Sequence, residues 1–168
     1  MSRRRKLFAG VVLALCAAAA VVIVLTAGGG SDTQSSSTTV VLPLPIGPVL
    51  TPAEYRRKAT AICASAPKLP NLDPSSSEDA AATMRRLAQL TDEQVTRLGQ
   101  LRPPAALTAR AQHVLTLVSE GANVLREAAD ATSAGDNDRM TKTDERLSAL
   151  AEQSDVAWRG LGLPTCAG

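Results

Sequence analysis

The first pattern along the chain is an unbroken apolar run. Residues 7–27 carry no charged side chain. Four basic residues stand directly before them: Arg3, Arg4, Arg5 and Lys6. A helix over this run is about 32 Å long, which matches a hydrocarbon core of about 30 Å. Because flanking basic residues stay in the cytoplasm, the sequence predicts a signal anchor in the plasma membrane, with residues 1–6 inside and the C-terminal domain outside.

Two other interpretations of this segment are open. A secretory signal peptide would be cleaved near the small residues 17–20 or after Ala27, although its apolar core is usually 7 to 15 residues long and Leu25 is bulky for the second site. Cleavage at the first site would leave the apolar residues 21–25 at the new N-terminus. The residues around Cys16 also resemble a lipobox, but Leu15 stands where that motif has a small residue. We therefore expect an uncleaved anchor, with a secreted form as the alternative.

The apolar run gives way to a segment without periodicity. Residues 28–39 are rich in Gly, Ser and Thr, and residues 40–50 contain Pro43, Pro45 and Pro48. Such composition is typical of a linker, flexible at first and more extended where prolines fix the backbone. We predict a linker over residues 28–50 with a root-mean-square reach of about 25–30 Å, which would let the rest of the chain stand clear of the bilayer.

Helical periodicity begins at Thr51. Thr51, Pro52 and Glu54 follow the order of an N-cap, a first-turn proline and a capping-box glutamate. The first predicted helix ends before Pro67. Its apolar stripe is Tyr55, Ala59, Ile62, Cys63 and Ala66.

Three further segments show the same period of three to four residues. Ser75 and Glu78 predict the start of a second helix that ends near Leu101, with a fresh start at Thr91 left open. The third helix should end at Gly135, and Asp136 or Asn137 should cap a fourth. The apolar stripe of the second helix is Met84, Leu87, Ala88, Val95 and Leu98. That of the third is Leu107, Ala111, Val114, Val118, Ala122, Leu125 and Ala129. That of the fourth is Met140, Leu147, Leu150, Ala151, Ala157, Trp158 and Leu161, and Gly162 and Pro164 end this helix.

Four amphipathic segments joined by short turns indicate an all-α domain. No run of alternating β-branched residues follows Thr51. We predict an antiparallel up-and-down four-helix bundle over residues 51–168. Its aromatic residues are Tyr55 and Trp158, and alanines are frequent on the inner stripes, so burial alone leaves little margin of stability.

Two cysteines lie in the predicted exterior domain, Cys63 and Cys166. Cysteines outside the cytoplasm usually pair. A redox-active pair is the alternative, but Cys63 lies on an apolar stripe without CxxC spacing, which favours a buried structural disulfide.

Charge argues against a nucleic-acid partner. The net charge is +2, yet from residue 51 onward 14 Lys or Arg stand against 15 Asp or Glu, so the basic excess lies in the N-terminal tail. No aromatic residues interleave the basic pairs to stack on bases. The most concentrated charged surface is Arg56, Arg57 and Lys58, which we name as a candidate interaction face.

No constellation for catalysis, a cofactor or a metal is found in the sequence. His113 is the single histidine, and we expect it to point to solvent. One histidine provides neither a nucleophilic triad nor a metal-ligand cluster. Residues 135–138 depart from the calcium-binding loop pattern and are explained by turn and cap chemistry. We therefore predict that the protein is not an enzyme.

Three short motifs support a family resemblance. They are residues 55–57 leading to 62–63, the Leu-Arg-Pro-Pro turn at 101–104, and the Gly- and Cys-containing segment 161–167. From Thr51 onward the chain resembles a loosely defined group of small alanine-rich extracytoplasmic proteins of actinobacteria. The resemblance implies a helical fold, a disulfide and an extracytoplasmic location, and it carries over no site residue.

These observations predict a single-pass membrane-anchored helical module that binds a protein partner at the cell envelope. The alternative is a bundle that binds a small ligand or a lipid in a gap left by its alanine-rich stripes. An exposed apolar patch would favour the first function and an enclosed apolar cavity the second.

Overall fold

The computed structural model describes residues 47–66 and 76–167, which form four α-helices and a final 3₁₀ turn. The helices are α1 (Pro52–Ala64), α2 (Ser77–Gly99), α3 (Ala105–Ala134) and α4 (Asn137–Leu161), and the 3₁₀ turn is Pro164–Cys166. The described ranges contain no strand, which confirms the all-helical prediction. The predicted anchor, residues 7–27, lies outside the described residues.

The helix starts follow the predicted capping signals with one shift. Thr51 forms the full capping box, because its hydroxyl accepts from the Glu54 amide and its own amide donates to the Glu54 carboxylate at 2.9 Å. The N-cap of α2 is Ser76, which accepts from the amide of Asp79 at 3.1 Å, so the prediction of Ser75 was wrong by one residue. Asp136 caps α4 in the same way.

Helix α2 is continuous. The hydroxyl of Thr91 donates to the carbonyl of Leu87 at 2.9 Å, which satisfies this side chain within the helix and leaves no new start there. Gly135 and Gly162 end α3 and α4 in the left-handed conformation, with φ of 67° and 79°. Both glycine caps agree with the sequence prediction.

Helix α3 is the centre of the fold. It packs against α2 on one side and α4 on the other. Arg85 near the start of α2 meets Asp130 near the end of α3, and Glu127 of α3 meets Arg146 of α4, so both helix pairs are antiparallel. The shorter α1 contacts α2 and the 3₁₀ turn at one end. The up-and-down order of all four helices stays a prediction for α1, since residues 67–75 lie outside the described ranges.

The buried side chains form two clusters that divide the molecule into two ends. The disulfide end comprises residues 47–66, 95–118 and 154–167. Its cluster is Leu50, Tyr55, Ala59, Cys63, Val95, Leu98, Leu107, Ala111, Val114, Leu115, Trp158, Leu161, Leu163, Cys166 and Ala167. The distal end comprises residues 76–94 and 119–153, and its smaller cluster is Leu87, Ala88, Ala122, Val124, Leu125 and Leu147. All elements meet at the disulfide end, which therefore has the larger core.

Candidate functional site

The predicted disulfide joins Cys63 and Cys166. The two Cα atoms are 5.4 Å apart, and the bond links residues separated by 103 positions. Both cysteines are almost fully buried, with exposures of 3% and 2%. The bond therefore ties α1 to the 3₁₀ turn from within the core, which is the position of a structural cross-link.

The chain enters the described fold at the disulfide end. The side chain of Leu50 is buried in the disulfide-end cluster, and its amide donates to the carbonyl of Arg102 at 2.9 Å. Leu50 was assigned to the linker from the sequence, but its side chain is part of the core. The segment before it thus leaves the fold beside the turn between α2 and α3.

The structure separates the three residues of the candidate interaction face. Arg56 Nε donates to the carbonyl oxygen of Leu161 at 3.2 Å, and Arg110 Nη1 donates to that of Gly160 at 3.3 Å. Cations at the C-terminus of a helix satisfy its last carbonyls and oppose the negative end of its dipole. Arg56 therefore caps α4 from another helix.

Arg57 and Lys58, in contrast, are exposed and form no ion pair within the described residues. Hydrogen bonds from Thr51 lower the pKa of the Glu54 carboxyl, and the charges of Arg57 and Lys58 lower it further. These two cations are the part of the predicted face that is available for contact.

A cleft lies between α2, α3 and α4; the sequence predicted a gap beside the alanine-rich stripes as an alternative, but not its place or its lining residues. Its volume is about 100 Å³. The lining is mainly apolar with a few polar side chains: Leu87, Thr91, Gln94, Leu117, Val118, Gly121, Leu125, Leu147, Leu150, Ala151, Ser154, Trp158 and Cys166. Most of these apolar residues belong to the predicted inner stripes. A signal for the cleft was the small size of Gly121 and Ala151, which leaves space between the helices.

A second depression of about 20 Å³ adjoins the cleft and shares Leu125 and Leu147 with it. Met84, Met140 and Asp144 line its other sides. Burial raises the pKa of the Asp144 carboxyl, and the neighbouring Glu145 raises it further. Because Met84 and Met140 stand next to the shared Leu125 and Leu147, this depression continues the apolar lining of the cleft toward the distal end.

The described residues bring no candidate chemistry together. They contain no group of three His, Cys, Asp or Glu side chains placed to hold a metal ion, and His113 is exposed. Every fully buried side-chain nitrogen or oxygen in this part of the chain has a hydrogen-bond partner. Within the same ranges, no helix has both the length and the apolarity needed to cross a bilayer.

Comparison with known proteins found no match: neither a family model, nor a curated protein, nor a solved structure matches this chain.

Proposed function

We propose that this chain is a single-pass membrane protein whose helical head, residues 51–168, acts outside the plasma membrane through contacts with an envelope protein. The anchor is assigned to residues 7–27 and the linker to residues 28–49, since the side chain of Leu50 belongs to the core. The apolar run and its basic flank support the anchor. The buried disulfide supports the location, because such bonds persist in oxidising compartments.

The observation that carries the protein-contact function is the cleft between α2, α3 and α4. Small-molecule sites usually enclose about 300–1,000 Å³. A half-open apolar cleft of about 100 Å³ is better matched to a single apolar side chain, such as the anchor residue of a protein interface. The proposed occupant is therefore an apolar side chain on the surface of a protein partner.

Gly121 offers a way to fill the cleft without harming the fold. A Cβ atom added at Gly121 meets no atom within 4 Å, so Gly121→Leu should extend into the cleft. Replacing a mid-helix glycine also favours the helix by about 0.5–1 kcal/mol. Gly160 in α4 has equally open surroundings and does not line the cleft, so Gly160→Leu is the matched control.

The test is site-specific photo-crosslinking of the full chain in intact membranes. A photoreactive residue at Ser154 reports on the cleft, and one at the exposed distal residue Ser133 serves as the reference. We expect Ser154 to give a discrete protein adduct that Gly121→Leu abolishes and Gly160→Leu retains. An adduct that persists in Gly121→Leu, or identical adducts from both positions, would contradict the proposal.

A small-ligand or lipid-binding bundle is the second candidate, and the apolar lining of the cleft favours it. Thr91, Gln94 and Ser154 would then orient a ligand of few atoms. Native mass spectrometry of the purified full chain separates the two functions. A bound small molecule that Gly121→Leu removes would support ligand binding, whereas a mass equal to that of the chain alone, together with a Ser154 adduct, supports protein contact.

A further inference from the structure

The two ends of the molecule carry opposite charge, although the whole described part is nearly neutral. The disulfide end has seven Lys or Arg and two Asp or Glu, whereas the distal end has six and twelve. The basic residues of the disulfide end are Arg56, Arg57, Lys58, Arg97, Arg102, Arg110 and Arg159. The antiparallel packing of the helices creates this polarity, because it brings together stretches that are far apart in sequence.

The positive charge at the disulfide end is largely unpaired. Four ion pairs lie at the distal end: Arg85 with Asp130, Arg86 with Glu93, Arg126 with Asp92 and Arg146 with Glu127. At the disulfide end of the described chain the single ion pair is Arg159 with Asp155. Arg57, Lys58, Arg97 and Arg102 form none within the described residues. This end therefore keeps a positive surface potential.

Exposed apolar side chains lie at the same end. Val49 and Val156, exposed by 55% and 66%, are the large hydrophobic residues most open to solvent in the described part of the chain. Cations combined with exposed apolar groups are typical of surfaces that rest on lipid headgroups. The distal end has no such exposed hydrophobic residue among its described positions.

The entry point of the chain selects a membrane as the partner of this surface. Leu50 enters at the disulfide end, so the linker joins the proposed anchor to the basic end of the head. A tether of about 25–30 Å reach keeps that end at high effective concentration beside the bilayer. Even a weak attraction to anionic lipid would then hold it there.

We propose that the disulfide end docks on the anionic headgroups of the membrane that holds the anchor, with the distal end directed away from it. Arg57 and Lys58 then face lipid, and the cleft of the proposed protein contact stays open at the side of the head. This inference rests on the proposed membrane anchor. Anchoring can be correct while docking is absent, so the experiment below measures both.

The experiment uses the full chain reconstituted into nanodiscs of phosphatidylcholine, with or without phosphatidylglycerol. A donor dye is attached through a non-natural amino acid at Gln112, which is exposed at the disulfide end, or at Ser133, which is exposed at the distal end. Acceptor dyes sit on the lipid headgroups. We expect phosphatidylglycerol to raise energy transfer from Gln112 and not from Ser133. Salt at about 1 M, where the Debye length is about 3 Å, should abolish the rise.

A pair of matched variants separates the basic surface from net charge. Arg57→Glu with Lys58→Glu should abolish the rise in energy transfer from Gln112. Arg86→Glu with Arg139→Glu makes the same change in net charge at the distal end and should preserve it. If both double variants lost the rise in energy transfer equally, the inference would be overturned, because net charge alone would then explain the attraction to anionic lipid.

The remaining outcomes distinguish docking from anchoring. A chain that carbonate wash removes from the nanodisc or membrane fraction would overturn the anchor and therefore the proposed function. A chain that is retained but gives the same transfer in both lipids would overturn docking alone. Transfer that rises in native membrane vesicles but not in phosphatidylglycerol would assign the basic end to an acidic protein surface and overturn the lipid assignment.

Discussion

The two ends of this head are held together by different means. The disulfide end combines the larger buried cluster, a covalent bond and arginines that cap α4, whereas the distal end combines a small alanine-rich cluster with ion pairs between exposed side chains. Exposed ion pairs usually contribute 0–1 kcal/mol each, far less than a disulfide that closes a long loop. The difference indicates that stability is concentrated at the end where the chain enters, so the distal end should open first.

The largest expected effect comes from breaking the disulfide. In the chain-entropy model a closed loop of about 100 residues stabilises a fold by about 4.7 kcal/mol. Cys63→Ser should therefore lower the free energy of unfolding by about 4–5 kcal/mol in a denaturant titration and leave Cys166 open to maleimide. Cys166→Ser should match it, and the double variant should cost no more than either single change.

Hydrogen exchange of the disulfide-intact and reduced protein shows where that loss falls. Reduction should remove protection mainly from α1 and the 3₁₀ turn, which the bond joins. Uniform loss of protection across both ends would show that the head unfolds as one cooperative unit, with no difference in stability between its two ends.

The next effect is a loss of stability at alkaline pH that arises at the disulfide end. Burial raises the pKa of Tyr55 from its ordinary value of 10.0 to about 12. Because the pKa of Tyr55 is higher in the folded than in the unfolded state, the contribution of this side chain to the free energy of unfolding is complete below pH 10. That contribution is lost as the pH rises toward about 12. The difference of two pKa units corresponds to a loss of about 2–3 kcal/mol in the free energy of unfolding.

Tyr55 is the single tyrosine of the chain, so tyrosinate absorbance reports its titration directly. Absorbance should change near pH 12 in the folded protein and near pH 10 in denaturant. Tyr55→Phe should remove the excess alkaline loss of stability. Titration near pH 10 in the folded protein would show that Tyr55 is not buried as described.

The smallest expected effect compares the glycine caps of α3 and α4. Both Gly135 and Gly162 are left-handed, so alanine at either costs about 1–2 kcal/mol. A Cβ at Gly135 meets no atom within 4 Å, whereas one at Gly162 would lie 2.7 Å from Arg56 Nε. Gly162→Ala should therefore destabilise the head more, because Arg56 must give up its bond to Leu161.

Adding Arg56→Ala isolates this contact. The further cost of Gly162→Ala should disappear in the Arg56→Ala background, leaving a cost equal to that of Gly135→Ala. Equal costs of the two glycine substitutions with Arg56 present would show that the arginine moves aside freely.

Local features of the fold were predictable from the sequence. The capping box at Thr51 and the glycine ends of α3 and α4 each depend on residues within one turn. The start of α2 was misplaced by one residue because Ser75 and Ser76 each stand three residues before an acidic side chain, Glu78 and Asp79, so both fit the capping pattern. The disulfide was predictable because residues 51–168 contain two cysteines.

The features that bear on function depend on how distant segments meet. The role of Arg56 arises because α1 packs beside the end of α4, 105 residues away. The cleft arises because three helices leave space around Gly121, and the charge polarity arises because antiparallel packing gathers cations from four segments. The small size of Gly121 and Ala151 is a local signal for the cleft. The contact of Arg56 and the charge polarity have no local signal, and the net charge of residues 51–168 indicated only a nearly neutral domain.

The central claim, that a membrane anchor displays this head outside the cell membrane, is tested most directly by protease treatment of intact cells that produce the full chain with a C-terminal tag. We expect the tag to be lost while the N-terminal segment stays in the membrane after carbonate wash. A tag that is protected until the cells are lysed, or a soluble exterior form that begins near Val21 or Gly28, would contradict the claim.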